Sequence, residues 1–296
     1  MTPTITALAP WFGSKRTLAP KIVEALGPHT SYFEPFAGGV SVIFAKPPSR
    51  CETLNDLHGD IINLARVVRC PVLGQELYRR ARLTPCADDE FQEARRIVVG
   101  SACEPKEHDS TIKGGVADID RAEMYLRYVW LGRNGEAGLD PREKESNLCV
   151  RWGDNGGSPA VRWLGVVRSI AVWRRRLARV TILRRDGFKL LAEDIRDEPG
   201  VAIYCDPPYL AKSDRYQHDF EDSMFVNHHR QLAEILERFR HARVVVSYYK
   251  HPDLPHLYRK TAWEWREFEV NKTLSNQGNG QMKPAGKAVE VLLCRN

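Results

Sequence analysis

VAIYCDPPY, residues 201–209, is a run of apolar and aromatic residues that stops at an acid, two prolines and a tyrosine. A short unbroken run of this kind, ended by turn formers, reads as a strand buried on both faces, as in the middle of a parallel sheet. Proline cannot continue a hydrogen-bonded ladder, so Asp206 is expected just beyond the strand's carboxyl end. In an open α/β sheet that edge is where ligands bind. Pro207 and Pro208 fix φ and offer no N–H, which leaves their carbonyl oxygens to accept. Asp206 and the Pro207 carbonyl can each take one hydrogen from a planar amine, and Tyr209 can stack on the ring that carries it. An ordinary strand-ending turn is the plainer alternative, since D-P and P-P are common in turns.

The chain on either side supplies the rest of such a sheet. Upstream, SYFEPF (31–36) is a strand that runs into the glycine turn Ala37-Gly38-Gly39, after which Val40–Ala45 opens a helix. Strand, glycine turn and helix form the start of a nucleotide-binding βα unit, whose glycines let the backbone approach a ligand. Cys51–Leu54 is a second strand ending at Asn55-Asp56, where an acid binds ribose hydroxyls, and Gly59–Val68 is an amphipathic helix. Downstream, a helix over Val161–Arg179 leads to a strand at Val180–Leu183. A helix over Asn227–Arg240 then precedes a strand at Arg243–Tyr249, and Ala288–Cys294 is a terminal strand after a glycine-rich loop at 278–286. This alternation predicts an open, mostly parallel, doubly wound sheet. Residues 69–160 break the rhythm with polar stretches, and two helices are expected there, near Asp88–Val99 and Ile119–Trp130. The expected organisation is therefore 1–68 and 161–296 as one α/β domain, with 69–160 as a mostly helical insert.

Composition narrows the function classes. The chain of 296 residues is 43% hydrophobic and 28% charged, ordinary for a globular protein. No stretch nears 18 uninterrupted apolar residues, so no membrane span is expected. The N-terminus lacks a signal-peptide pattern. Seven Cys stand singly, without a C-x-x-C pair, which favours neither zinc nor disulfides and suits a reducing cytoplasm. Net charge is +6, yet Asn155–Arg185 holds eight Arg and no acid. That run can neutralise phosphates, with Arg174–Arg176 as its densest part and Trp163, Val167, Ile170, Trp173 and Leu177 as its buried side. Arg outnumbers Lys 31 to 13 throughout, so the run also has a merely compositional reading.

Taken in order, PWFGSK (10–15), FEPFAGG (33–39), Asn55-Asp56 and DPPY (206–209) resemble the Dam-type, or D12 class, DNA adenine methyltransferases. The likeness covers about 1–68 and 180–296. It implies a Rossmann-like class I methyltransferase sheet, S-adenosylmethionine as methyl donor, double-stranded DNA as partner, and a target-recognition insert. By resemblance, Trp11 and Lys15 match the N-terminal cofactor motif, Lys15 as a cation for the cofactor's carboxylate. Phe36, Ala37, Gly38 and Gly39 match the glycine turn, and Asp56 the ribose acid. Asp186 and Phe188, in DGF, match the segment bordering the cofactor's adenine. Asp206, Pro207, Pro208 and Tyr209 match the catalytic loop, with Asp206 also facing the cofactor. Tyr216 and His218 fall where the family has residues near the active site. Position 40 is Val where many members have a further Gly. The segment Trp130–Gly135 only loosely echoes the GATC-reading members, so Arg133, Asn134 and Arg151 are the candidate DNA contacts. No metal is expected.

The implied chemistry is direct transfer to the N6 amine of a flipped adenine, with Cys205 as packing rather than nucleophile. An N4-cytosine methyltransferase is the nearest alternative, although such enzymes usually carry Ser before P-P-Y. A catalytically inactive DNA-binding relative, or a methyltransferase of RNA or of a protein amide, are the others.

Overall fold

The computed structural model describes residues 5–11, 13–100, 116–132, 137, 147–150, 158–208, 225–271 and 287–295. Helix α1 (Ala19–Leu26) precedes β1 (Ser31–Glu34), α2 (Ser41–Ala45), β2 (Cys51–Asn55) and α3 (Gly59–Arg69). Three helices follow: α4 (Pro71–Leu83), α5 (Asp88–Gly100) and α6 (Ile119–Leu131). Then come α7 (Pro159–Leu177), β3 (Val180–Leu183), the short α8 (Gly187–Lys189) with a π-helical turn at Leu190–Asp194, and β4 (Val201–Cys205). The chain closes with α9 (Phe225–Leu236), β5 (Arg243–Tyr249), α10 (Leu254–Leu257), β6 (Glu264–Asn271) and β7 (Lys287–Arg295).

The seven strands form one sheet in the order β3-β2-β1-β4-β5-β7-β6. The pairs from β3 through β5 are parallel, and β7 runs antiparallel to both of its neighbours. Every residue of β4 is buried, as its unbroken apolar run demands. Alternate residues of the strands feed two cores. Tyr32, Leu54, Tyr204, Val245 and Leu292 face α1, α3 and α7, while Ile203, Cys205, Val246, Tyr248 and Leu293 face α9, α10 and the π turn. The sheet is thus covered on both sides, as a doubly wound Rossmann-like sheet requires. Strand order reverses between β1 and β4, and the carboxyl ends of those two strands lie side by side.

The described part of 69–160 differs from its polar expectation. Leu77, Phe91, Ala94, Tyr125, Leu126 and Trp130 are buried in the same core as α3 and α7. Reciprocal hydrogen bonds between the Asn63 side chain and the Asp118 backbone (2.7 and 2.8 Å) fix α6 to α3. A bidentate Arg121–Asp60 pair (2.6 and 2.7 Å) does the same. The polar residues that colour this stretch lie on the outer faces of helices whose inner faces are apolar.

The arginine run also departs from expectation. Arg176 is spent on the buried Glu52, which Lys46 also holds at 2.6 Å. Arg162 donates to the Trp130 and Gly132 carbonyls. The helix enters β3 at that strand's amino end, so Arg174–Arg176 sit at the edge of the sheet opposite Asp56 and Asp206. Its buried side is as read: Trp163, Val167, Ile170, Trp173 and Leu177 are all 4% exposed or less. Among the described residues no helix is long and apolar enough to cross a membrane.

Candidate active site

At the reversal point, the glycine turn after β1 meets the residues that follow β2, β3 and β4. The N-terminal segment lies along this turn, because the Leu8 N–H donates to the Gly39 carbonyl (3.0 Å). Trp130 and Trp173 tie the segment down through their indole N–H groups, to the Leu8 and Ile5 carbonyls at 2.8 and 2.6 Å. Only glycine fits beneath it. Gly38 has φ +47°, and a Cβ there would meet the Trp11 ring at 2.8 Å; one on Gly39 would meet the Ala9 carbonyl oxygen at 2.8 Å.

Asp56, just after β2, accepts from the Gly38 N–H at 2.8 Å with one oxygen and from the His58 N–H at 2.9 Å with the other. Each oxygen keeps acceptor capacity, because a carboxylate offers about four lone-pair sites. Asn55 is a clamp. Its amide donates to the Pro35 and Arg185 carbonyls and accepts from the Arg185 N–H, all at 2.9 Å, joining the ends of β1, β2 and β3. Asp186 caps α8 by accepting from the Phe188 N–H at 2.7 Å. That sets Phe188 edge-on to Phe36, ring centres 5.8 Å apart. Two half-buried aromatic rings in edge contact therefore stand on the same sheet edge as the Asp56 carboxylate. On the far side Trp11 meets His58 (5.2 Å), which meets Tyr125 of α6 (5.7 Å).

Asp206 begins the loop after β4, with its side chain 23% exposed. Oδ1 accepts from the Ser247 hydroxyl at 2.9 Å, and that hydroxyl is 2.8 Å from the Tyr204 hydroxyl. Oδ2 pairs with Lys15 Nζ at 2.8 Å. The same ammonium reaches Glu290 at 3.3 Å and donates to the Gly13 carbonyl at 2.7 Å. Burial raises the Asp206 pKa above its ordinary value, with Lys15 pulling against the rise and Glu290 adding to it. For Lys15, burial disfavours the charge, but Asp206 and then Glu290 more than offset it and the pKa ends above ordinary. Beside them Glu34, held by the Tyr32 hydroxyl at 2.9 Å, is pushed up to about 8 by burial.

The sequence-derived residues Trp11, Lys15, Phe36, Ala37, Gly38, Gly39, Asp56, Asp186, Phe188, Asp206, Pro207 and Pro208 all lie along this one edge of the sheet. Among the described residues, Lys15 Nζ meets Asp206, Glu290 and the Gly13 carbonyl; the resemblance implied a cofactor's carboxylate as its partner. Tyr209, Tyr216, His218, Arg133, Asn134 and Arg151 lie outside the described residues. Sequence reading passed over Glu34, Tyr204, Ser247 and Glu290. Their signal was a lone polar group in an apolar strand, which is buried only with a partner.

A family model described as D12 class N6 adenine-specific DNA methyltransferase matches residues 11–272. Among solved structures, the chain is similar to SMU.472, a candidate methyltransferase crystallised with SAH, at 11% identity and a TM-score of 0.28. That alignment covers 79% of this chain and 55% of the other, so the chain spans about half the length of that structure. A search of curated proteins returned no match.

Proposed function

The chain belongs to the D12 class of N6 adenine-specific DNA methyltransferases, and from that membership we propose that it methylates the N6 amine of adenine in double-stranded DNA, with S-adenosylmethionine as donor. The observation that carries the reading is Asp206, a partly exposed carboxylate at the carboxyl end of β4, on the same sheet edge as the glycine turn and Asp56. These residues suit the cofactor: Phe36 and Phe188 would border its adenine, and Asp56 would accept from its ribose hydroxyls. S-adenosylmethionine, when bound, supplies a methyl group already carried on a sulfonium leaving group.

The protein's own task is position and charge. Adenine's exocyclic nitrogen is a poor nucleophile because its lone pair spreads into the ring. Asp206 and the Pro207 carbonyl accept the two amine hydrogens, which turns the nitrogen towards a pyramidal shape and returns electron density to it. Pro207 and Pro208 hold these acceptors in place, and Tyr209 stacks on the extruded base. As the nitrogen gains its methyl group it sheds a proton. Asp206, made more basic by burial, takes it. Base reading falls to Arg133, Asn134 and Arg151, and the enzyme acts in the cytoplasm.

Incubating the full chain with labelled S-adenosylmethionine and genomic DNA free of N6-methyladenine, then digesting to nucleosides, tests the reading. Labelled N6-methyl-2′-deoxyadenosine is the expected product. Label found only in N4-methylcytosine, or none in DNA, overturns it.

A further inference from the structure

We propose that Ser247 and Glu290 are positioning residues for this transfer, and that together with Lys15 they set the orientation and basicity of the Asp206 carboxylate; the inference rests on the reading of Asp206 given above. Both stand in strands that are otherwise apolar in their interiors, VVVSYY in β5 and VEVLLC in β7. Ser247 is 0% exposed and Glu290 5%. A buried hydroxyl or carboxylate in a strand is costly unless bonded, and the bonds these two make converge on Asp206. The pairing of Cys205 with Val246 sets Asp206 beside Ser247, and Tyr249 pairs with Glu290.

The arrangement engages both carboxylate oxygens. Ser247 donates to Oδ1 at 2.9 Å, receiving in turn from Tyr204, and Lys15 holds Oδ2 at 2.8 Å. With a donor on each oxygen the carboxylate cannot rotate, and its remaining lone pairs are aimed along the exposed side. A lysine on its own would drain the oxygen it touches and weaken it as an acceptor. Glu290, 3.3 Å from the same ammonium, shares that charge. The trio of one cation and two anions keeps a net negative charge facing the amine.

Other titratable groups face Asp206 from the packed elements. Glu34 approaches from β1 and Tyr204 from β4 itself, and Tyr249 comes from β5 beside Ser247. Cys205 and Tyr248, which also feel its charge, are held protonated by burial. The two positioning residues act on Asp206 with opposite sign. The Ser247 hydrogen bond favours the ionised carboxylate, while the Glu290 charge disfavours it.

The test is single-turnover methyl transfer against pH, at saturating S-adenosylmethionine, for the full chain and for Ser247→Ala, Ser247→Thr and Glu290→Gln. Loss of Ser247 raises the Asp206 pKa, so the acid limb of Ser247→Ala should move to higher pH. Its plateau should fall about tenfold or more, as for loss of a hydrogen bond to a charged group. Threonine should restore both. Glu290→Gln should move the limb to lower pH and lower the plateau several-fold (an order-of-magnitude expectation), with cofactor affinity by calorimetry unchanged in each variant. Limbs that stay put, or move the same way, overturn the inference. Should Ser247→Ala fail to fold, the downward displacement in Glu290→Gln alone decides. A wild-type chain that transfers nothing to DNA overturns the functional reading and this inference with it. Wild-type transfer with unmoved limbs overturns the inference alone.

Discussion

At φ +64°, Val40 occupies the left-handed backbone region while its side chain is 1% exposed. A β-branched residue is strained there, by about 1–2 kcal/mol, which gives a physical reason for the Gly that many family members carry at this position. Strain is tolerated where the surroundings over-determine the backbone, and here the turn is pinned by Leu8 above and Asp56 below. Val40→Gly should therefore lose about 1.5–3 kcal/mol of burial but recover most of it as relieved strain. Val42 is equally buried but lies inside α2, so Val42→Gly loses the burial and about 1 kcal/mol of helix propensity besides. Urea unfolding should rank Val42→Gly about 2 kcal/mol or more below Val40→Gly; equal losses would remove the strain argument. At this scale the sequence marked the residues that end strands, because turn chemistry is local. It could not assign Lys15 its acids, since Asp206 and Glu290 come from strands far along the chain. Nor could it give Asn55 its role as a clamp.

Helix α7 shows how far an element's role depends on which end of the sheet it meets. Its apolar side was legible from helical spacing, and its basic run was legible as charge, but charge alone does not say where a side chain points. Arg176 turns inward onto Glu52, and the whole triplet lies at the edge away from Asp206. The slope of DNA affinity against salt should consequently be the same for wild type and for Arg174→Ala/Arg175→Ala, measured by fluorescence anisotropy. A flattening by about two phosphate contacts would return these arginines to the DNA interface. Among the elements that escaped the sequence reading, two did so for clear physical reasons. Helix α4 buries only Gly74, Leu77 and Ala81, a narrow stripe among charges. Strand β6 is a sheet edge whose charged residues, Glu264, Arg266, Glu267 and Glu269, blunt it against further pairing and hide its alternation.

For the molecule as a whole, the strand-and-helix alternation on either side of 69–160 was enough to give an open doubly wound sheet, because buried parallel strands write themselves as apolar runs. The antiparallel insertion of β7 between β5 and β6 was not legible, since a strand's partners are a non-local choice. Helices α4–α6 share one core with α3 and α7, so the described part of 69–160 is continuous with the core of the α/β fold. Excising it would uncover Leu64, Val67 and Val68, all 0% exposed. Target reading is better approached through single changes at Arg133, Asn134 and Arg151. The central proposal is that the sheet edge delivers Asp206 to the adenine amine, while Phe36, Asp56 and Phe188 serve cofactor binding. Asp206→Ala tests this directly, with S-adenosylmethionine affinity measured by calorimetry beside single-turnover methyl transfer to DNA. The account predicts that transfer falls by about 100-fold or more while cofactor affinity stays within about threefold, the scatter normal for single contacts. Transfer persisting near the wild-type rate in Asp206→Ala would contradict it.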